Sequence, residues 1–136
     1  VGVFYHNHKG VFFHIGDGAG IAFKNGEYGN FIISEPENGA FSCETYFYTM
    51  DEWKDCLRFT DFENANRILL MTDGVTGFAF SDDFYKIHRN FLIPVIEYLE
   101  HEPRKTYAVE ALRNTLNNSR AQRLNADDKT ILWAKL

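Results

Sequence analysis

Short apolar segments divided by turn residues mark the first half of the chain, and helical spacing marks most of the second. Residues 1–5 (VGVFY) alternate as a strand, 6–10 (HNHKG) read as a turn, and 11–17 (VFFHIGD) read as the returning strand. Residues 21–33 carry Asn25-Gly26 at their centre, a pair suited to the left-handed positions of a tight hairpin. Residues 34–43, with Pro36 and Gly39, read as a loop; 45–49 (TYFYT) read as β, and 50–55 as a short helical turn. Residues 67–72 (RILLMT) form a short continuous apolar run, the pattern of a strand buried on both faces.

The period changes at Ser81. Phe84, Ile87, Phe91, Leu92, Val95, Ile96 and Leu99 recur at helical spacing and predict a helix over 81–101. Ser81 is its expected cap, with Asp82 and Asp83 well placed in the first turn and Pro94 expected to kink or split it. A second helix is predicted over 106–121, with Ala108, Ala111, Leu112, Thr115 and Leu116 on one face. Phe84, Phe91, Val95, Leu112 and Leu116 are the expected buried contacts of this helical layer. TILWAKL, 130–136, closes the chain as a strand expected to lie beside RILLMT. Many strands, then two helices, then one strand describe an α+β fold with a single domain over 1–136.

Composition narrows the function. Thirteen Phe and seven Tyr among 136 residues favour a large sheet content. A net charge of −5 argues against a nucleic-acid partner, whose phosphates call for Lys and Arg clusters. No apolar run approaches the roughly 20 residues that cross a bilayer, so no membrane role is expected. Cys43 and Cys56 are read as ordinary thiols and the protein as cytoplasmic. Val1 opens directly on a strand pattern, as a piece of a longer protein would.

Three segments place an acidic residue in a tight turn at a strand end: IGDGAG with Asp17, MTDGVTG with Asp73, and ADDKT with Asp127 and Asp128. Taken alone, each Asp is a turn residue; Asp73-Gly74 in particular is a common hairpin pair. Together, carboxylates at strand ends suit a hard cation such as Mg²⁺ or Mn²⁺, which prefers oxygen ligands. GDGAG is not GxGxxG and is followed by a hairpin pattern, which excludes a dinucleotide loop. No GxSxG occurs, so no nucleophile elbow is present. DGVTG is shared with haloacid dehalogenase-type phosphatases, but Met71 stands where their nucleophilic Asp belongs. His6 and His8 share a strand face and are better explained by a polar turn than by a metal; His14 reads as a partly buried strand residue.

In this order the three turns resemble the C-terminal half of the type 2C, metal-dependent protein phosphatases. HIGDGAGIAF resembles that family's GDSR-type segment, LLMTDGVTGF its SDG segment, and ADDKTILWAKL its terminal DN-x-[TS] or DD-x-T segment. SCETYFYTMDEW resembles a stretch of the bacterial branch. The resemblance implies part of a four-layer α-β-β-α sandwich, with antiparallel sheets and helices on the outer face. It implies hydrolysis of phosphoserine and phosphothreonine in proteins by a metal-activated water, with two core Mg²⁺ or Mn²⁺ ions and a third, weaker one. Asp73 and Asp127 match core metal ligands, Asp17 matches the third-site ligand, and Asp128 and Gly74 are further candidates; no catalytic residue beyond metal ligands is implied.

Departures are clear. Gly18 and Ala19 replace Ser-Arg, Thr72 replaces Ser, and Asp128 stands where Asn is usual. The family's N-terminal metal-bridging motif and phosphate-binding Arg have no counterpart in these residues. The expected partners are a phosphoprotein substrate and a cognate Ser/Thr kinase, and these residues alone are expected to be inactive. The competing readings are a non-catalytic phosphatase-like module that binds a protein partner, and a purely structural sheet domain.

Overall fold

The computed structural model describes residues 1–37, 46–51, 53–81 and 84–136. Cys43 and the expected first-turn acids Asp82 and Asp83 lie outside the described residues, as does most of the loop read over 34–43. Two antiparallel sheets are built from seven strands. Sheet A is ordered β1-β2-β5, with β1 Gly2–His6, β2 Lys9–His14 and β5 Arg58–Glu63. Sheet B is ordered β4-β3-β6-β7, with β3 Ala19–Lys24, β4 Phe31–Ser34, β6 Ala65–Met71 and β7 Ile131–Lys135. Four helices are found among the described residues: α1 Asp73–Ala79, α2 Arg89–His101, α3 Lys105–Leu116 and α4 Ser119–Leu124. The fold is α+β, with helices packed against sheet, and none of these helices is long and apolar enough to cross a membrane.

Turn chemistry places the strands. Asn7 and His8 both take positive φ, 48° and 66°, and close β1 on β2 as a two-residue hairpin. His8 is thus a turn residue, whereas His6 ends β1 opposite Lys9. Asn25 and Gly26 do the same after β3, at 53° and 75°, before a second turn leads into β4. Asn64, also left-handed at 58°, is where the chain leaves sheet A for sheet B.

Alternation then sorts the side chains into two cores. Phe12 and Phe62 of sheet A meet Ala22 and Ile68 of sheet B between the sheets. On the other face of sheet B, Ile21, Phe23, Leu69, Met71 and Ile131 pack against Val75, Leu92, Ile96 and Leu116 of the helices. β6 serves both cores, which is why its sequence is apolar at consecutive positions. These described residues form three layers; Phe4 and Phe59 stand 70% and 65% exposed on the outer face of sheet A.

The helical layer departs from its sequence pattern. The first long helix begins at Arg89, not Ser81. Phe84 takes φ 57°, Phe80 bridges to Ile87, and Ser81 exchanges hydrogen bonds with Lys86, so Phe84, Tyr85 and Lys86 are not helical. α2 runs through Pro94 as one element. The predicted 106–121 helix divides at Asn117–Asn118, where the Asn118 carboxamide accepts from the N–H groups of Arg120 and Ala121, both at 2.9 Å, and starts α4. Leu116 is fully buried, whereas Phe84, Phe91, Val95 and Leu112 are half-buried; Leu92 and Ile96 carry the deep contacts of α2. A two-pronged ion pair, Arg67 to Glu100 at 2.9 and 3.0 Å, ties β6 to α2, and the Arg67 guanidinium holds the Glu100 carboxyl below its ordinary range.

The segments read as 45–49 strand and 50–55 helical turn resolve into turns over the described residues, with Met50 N–H donating to Phe47 O. Cys56 is half-buried.

Candidate functional site

Strand register brings the acidic turns to one end of sheet B. Ala19, at the start of β3, pairs with Met71 at the end of β6, and Met71 pairs with Ile131 at the start of β7. Asp17, Asp73 and Asp127 lie two to four residues beyond these paired positions, on the same side.

Asp17 and Asp73 line one cleft of about 360 Å³, together with Gly18, Thr72 and Thr130. Asp127 and Asp128 do not line it. They lie on the neighbouring turn, which is laced to the β6 end by hydrogen bonds of the main chain and hydroxyl of Thr72. Thr72 N–H donates to Thr130 O at 3.1 Å, and Thr130 N–H donates to Thr72 Oγ1 at 3.0 Å. Thr72 Oγ1 in turn donates to Asp128 O at 3.2 Å. Lys129 Nζ donates to Asp127 O at 2.7 Å, and the Asn125 side chain accepts from Asp127 N–H at 2.8 Å, so this turn is fixed from both ends.

The carboxylate that closes the apolar run is therefore no hairpin turn. Asp73 is the first residue of α1, after Thr72 in extended conformation, and Thr76 Oγ1 donates back to Asp73 O at 2.8 Å. Gly74 is helical and needs no left-handed backbone. Its role is close approach: a Cβ there would collide with the Asp128 carbonyl oxygen and lie 3.3 Å from that of Asp127. Gly18 is set the same way, 2.7 Å from a Cβ position to Met71 O. Asp73, Asp127 and Asp128 are exposed, and their carboxylates have no hydrogen-bond or ion-pair partner among the described residues.

Donor chemistry fits a hard cation, since carboxylate, hydroxyl and main-chain carbonyl oxygens are the groups at hand. The number of side-chain donors is small: among the described residues no group of three or more His, Cys, Asp or Glu could hold a metal. These residues can supply part of a coordination shell. Thr72 and Thr130, which lock the two turns together, were not singled out as site residues from the sequence; the position of Thr72 directly before Asp73 is the one signal that pointed to it.

Behind the cleft, His14 at the end of β2 is fully buried, and its Nδ1 lies 2.9 Å from Ser34 Oγ. Burial, the largest cause, lowers its pKa to about 4; Arg58 pushes the same way, and Asp17 opposes it. Because the folded-state value is below the ordinary 6.5, the unfolded chain binds this proton first as pH falls. Stability is full above about pH 6.5 and declines towards pH 4, by about 2–3 kcal/mol. Urea unfolding at about pH 7.5 and about pH 5, which covers the upper part of that window, should show much of this loss, and His14→Gln should flatten it. Equal pH dependence in the two proteins would remove His14 as its source.

Comparison with known proteins adds one positive finding. A family model described as Protein phosphatase 2C matches residues 1–117. The match includes the turns of Asp17 and Asp73 and stops short of Asp127. No curated protein and no solved structure matches the chain.

Proposed function

This chain belongs to the protein phosphatase 2C family, and from that premise we propose that it serves metal-dependent removal of phosphate from phosphoserine and phosphothreonine in proteins. The observation that carries the reading is the shared cleft of Asp17 and Asp73 at the head of sheet B, with the Asp127–Thr130 turn locked against it. Asp17 and Asp73 would hold a divalent cation, Mg²⁺ or Mn²⁺, and Asp127 would reach the same shell from its turn. When bound, such cations supply charge neutralisation for phosphoryl oxygens and a water acidic enough to act near neutral pH.

The protein's own residues provide positioning. Thr72 fixes the spacing between the β6 end and the Asp128 carbonyl through its hydroxyl, and Gly74 lets the turn approach α1. The unpaired carboxylates of Asp73, Asp127 and Asp128 leave net negative charge there, which holds cations and would repel a phosphate in their absence. Mg²⁺ demands near-octahedral geometry and sheds water reluctantly, so two or three carboxylates leave most of the shell to water and bind weakly. On this reading, turnover of a phosphoprotein substrate, such as that of a cognate kinase, needs metal ligands beyond those these residues supply.

Hydrolysis of a phosphothreonine peptide in millimolar Mn²⁺ tests this. The intact gene product should turn the peptide over, chelation should abolish turnover, and the 136-residue chain alone should be inactive. Phosphopeptide binding without turnover by the intact product would establish the non-catalytic module instead. Vigorous turnover by the 136-residue chain would show that its own carboxylates suffice.

A further inference from the structure

A second concavity, sharing no residue with the acidic cleft, opens inside the helical layer. Its volume is about 730 Å³, within the ~300–1,000 Å³ of small-molecule sites. Its walls come from all four helices: Phe78 of α1, Phe91 of α2, Leu116 of α3 and Leu124 of α4. Leu124 is left 68% exposed at the edge. At Gly77 a Cβ would find no atom within 4 Å, so the space is open at that wall.

The charged residues at this cavity are of one sign. Arg89, opening α2, and Arg120, in the first turn of α4, both line it and are exposed, and neither guanidinium has a hydrogen-bond or ion-pair partner among the described residues. Among the described residues no Asp or Glu lines the cavity, in a chain whose net charge is −5. Apolar walls with two unpaired guanidinium groups define a ligand with an apolar body and an anionic end.

We propose that this cavity binds a small amphiphilic anion, one apolar body carrying one negatively charged head group. Its volume, in the range of small-molecule sites, and walls drawn from four separate elements favour a small molecule over a segment of another protein. The head group would lie between Arg89 and Arg120, and the body against Phe78, Phe91 and Leu116.

The probes are 8-anilino-1-naphthalenesulfonate and its uncharged parent N-phenyl-1-naphthylamine, both followed by fluorescence. The sulfonate should bind saturably at one site, and the amine at least about tenfold more weakly, because charge-assisted hydrogen bonds to the head group are lost. Arg89→Glu with Arg120→Glu should weaken the sulfonate by about tenfold or more and leave the amine unchanged. Both reversals fall in first turns of helices, where Glu suits the helix dipole, so the variant should keep its far-UV circular dichroism. Gly77→Leu, filling the open wall, should weaken both probes, whereas Phe4→Ser on the exposed face of sheet A should affect neither. Equal binding of the two probes, no saturable site, or loss on Phe4→Ser in place of the cavity variants would overturn the proposal.

Discussion

Asp73→Asn in the intact gene product should lower turnover of a phosphothreonine peptide by about 10²–10³-fold while leaving the protein folded. A cation acting as Lewis acid contributes several kcal/mol to phosphoryl transfer, and each 1.4 kcal/mol or so is a factor of ten. Asparagine keeps the shape and one oxygen donor but removes the negative charge from a carboxylate that the fold leaves unpaired. The structural cost is small. Asp73 is exposed at the first position of α1, where its charge is worth about 0.3–1 kcal/mol through the helix dipole. Thermal unfolding should therefore move little, whereas the Mn²⁺ concentration for half-maximal turnover should rise. Full activity at unchanged Mn²⁺ dependence would remove Asp73 from the cation shell and leave it as a helix start only.

The sequence made the two-sided strand β6 legible because burial on both faces writes an unbroken apolar run, and β7 legible because it must pair beside it. Asn25-Gly26 announced the β3–β4 hairpin through a backbone requirement that few residues meet. β5 was missed for the opposite reason. RFTDFE buries only Phe62 deeply and leaves Phe59 on the outer face, so it has no clean period; pairing with β2 makes it a strand. α1 was missed because DGVTGFA holds two glycines and no helix-favouring pattern, yet Val75 and Ala79 are fully buried and pin it to sheet B. Phe84 and Ile87 do fall at helical spacing, but they reach the core from a loop, and spacing alone does not separate the two cases. In the site, the aspartates were visible as turn residues at strand ends. The locking of one turn onto the other was not, since it depends on the Thr72 hydroxyl meeting main-chain groups 56 and 58 residues further along the chain.

Gly74 concentrates that tertiary constraint in one position, and the pair Gly74→Ala and Gly77→Ala isolates it. Both glycines are in α1, and by helix propensity alone each alanine should stabilise the protein, by up to about 1 kcal/mol. At Gly77 nothing opposes the gain, because a Cβ there meets open space. At Gly74 the new carbon would strike the Asp128 carbonyl and crowd that of Asp127. Neither obstacle is a flexible side-chain end. Both are main chain, held by the Thr72 and Thr130 hydrogen bonds, by Lys129 and by Asn125. Relief requires moving the whole 127–130 turn away from α1, and overpacking of that kind costs about 1–3 kcal/mol, enough to reverse the propensity gain. Gly77→Ala should therefore raise the melting temperature and Gly74→Ala lower it. Because the displaced turn carries Asp127 away from Asp73, Gly74→Ala should also weaken Mn²⁺-dependent turnover by about tenfold or more, the usual scale for residues that orient ligands without touching the metal. A Gly74→Ala protein as stable as Gly77→Ala would mean that the turn yields freely, and the rigid link between Asp73 and Asp127 would have to be abandoned.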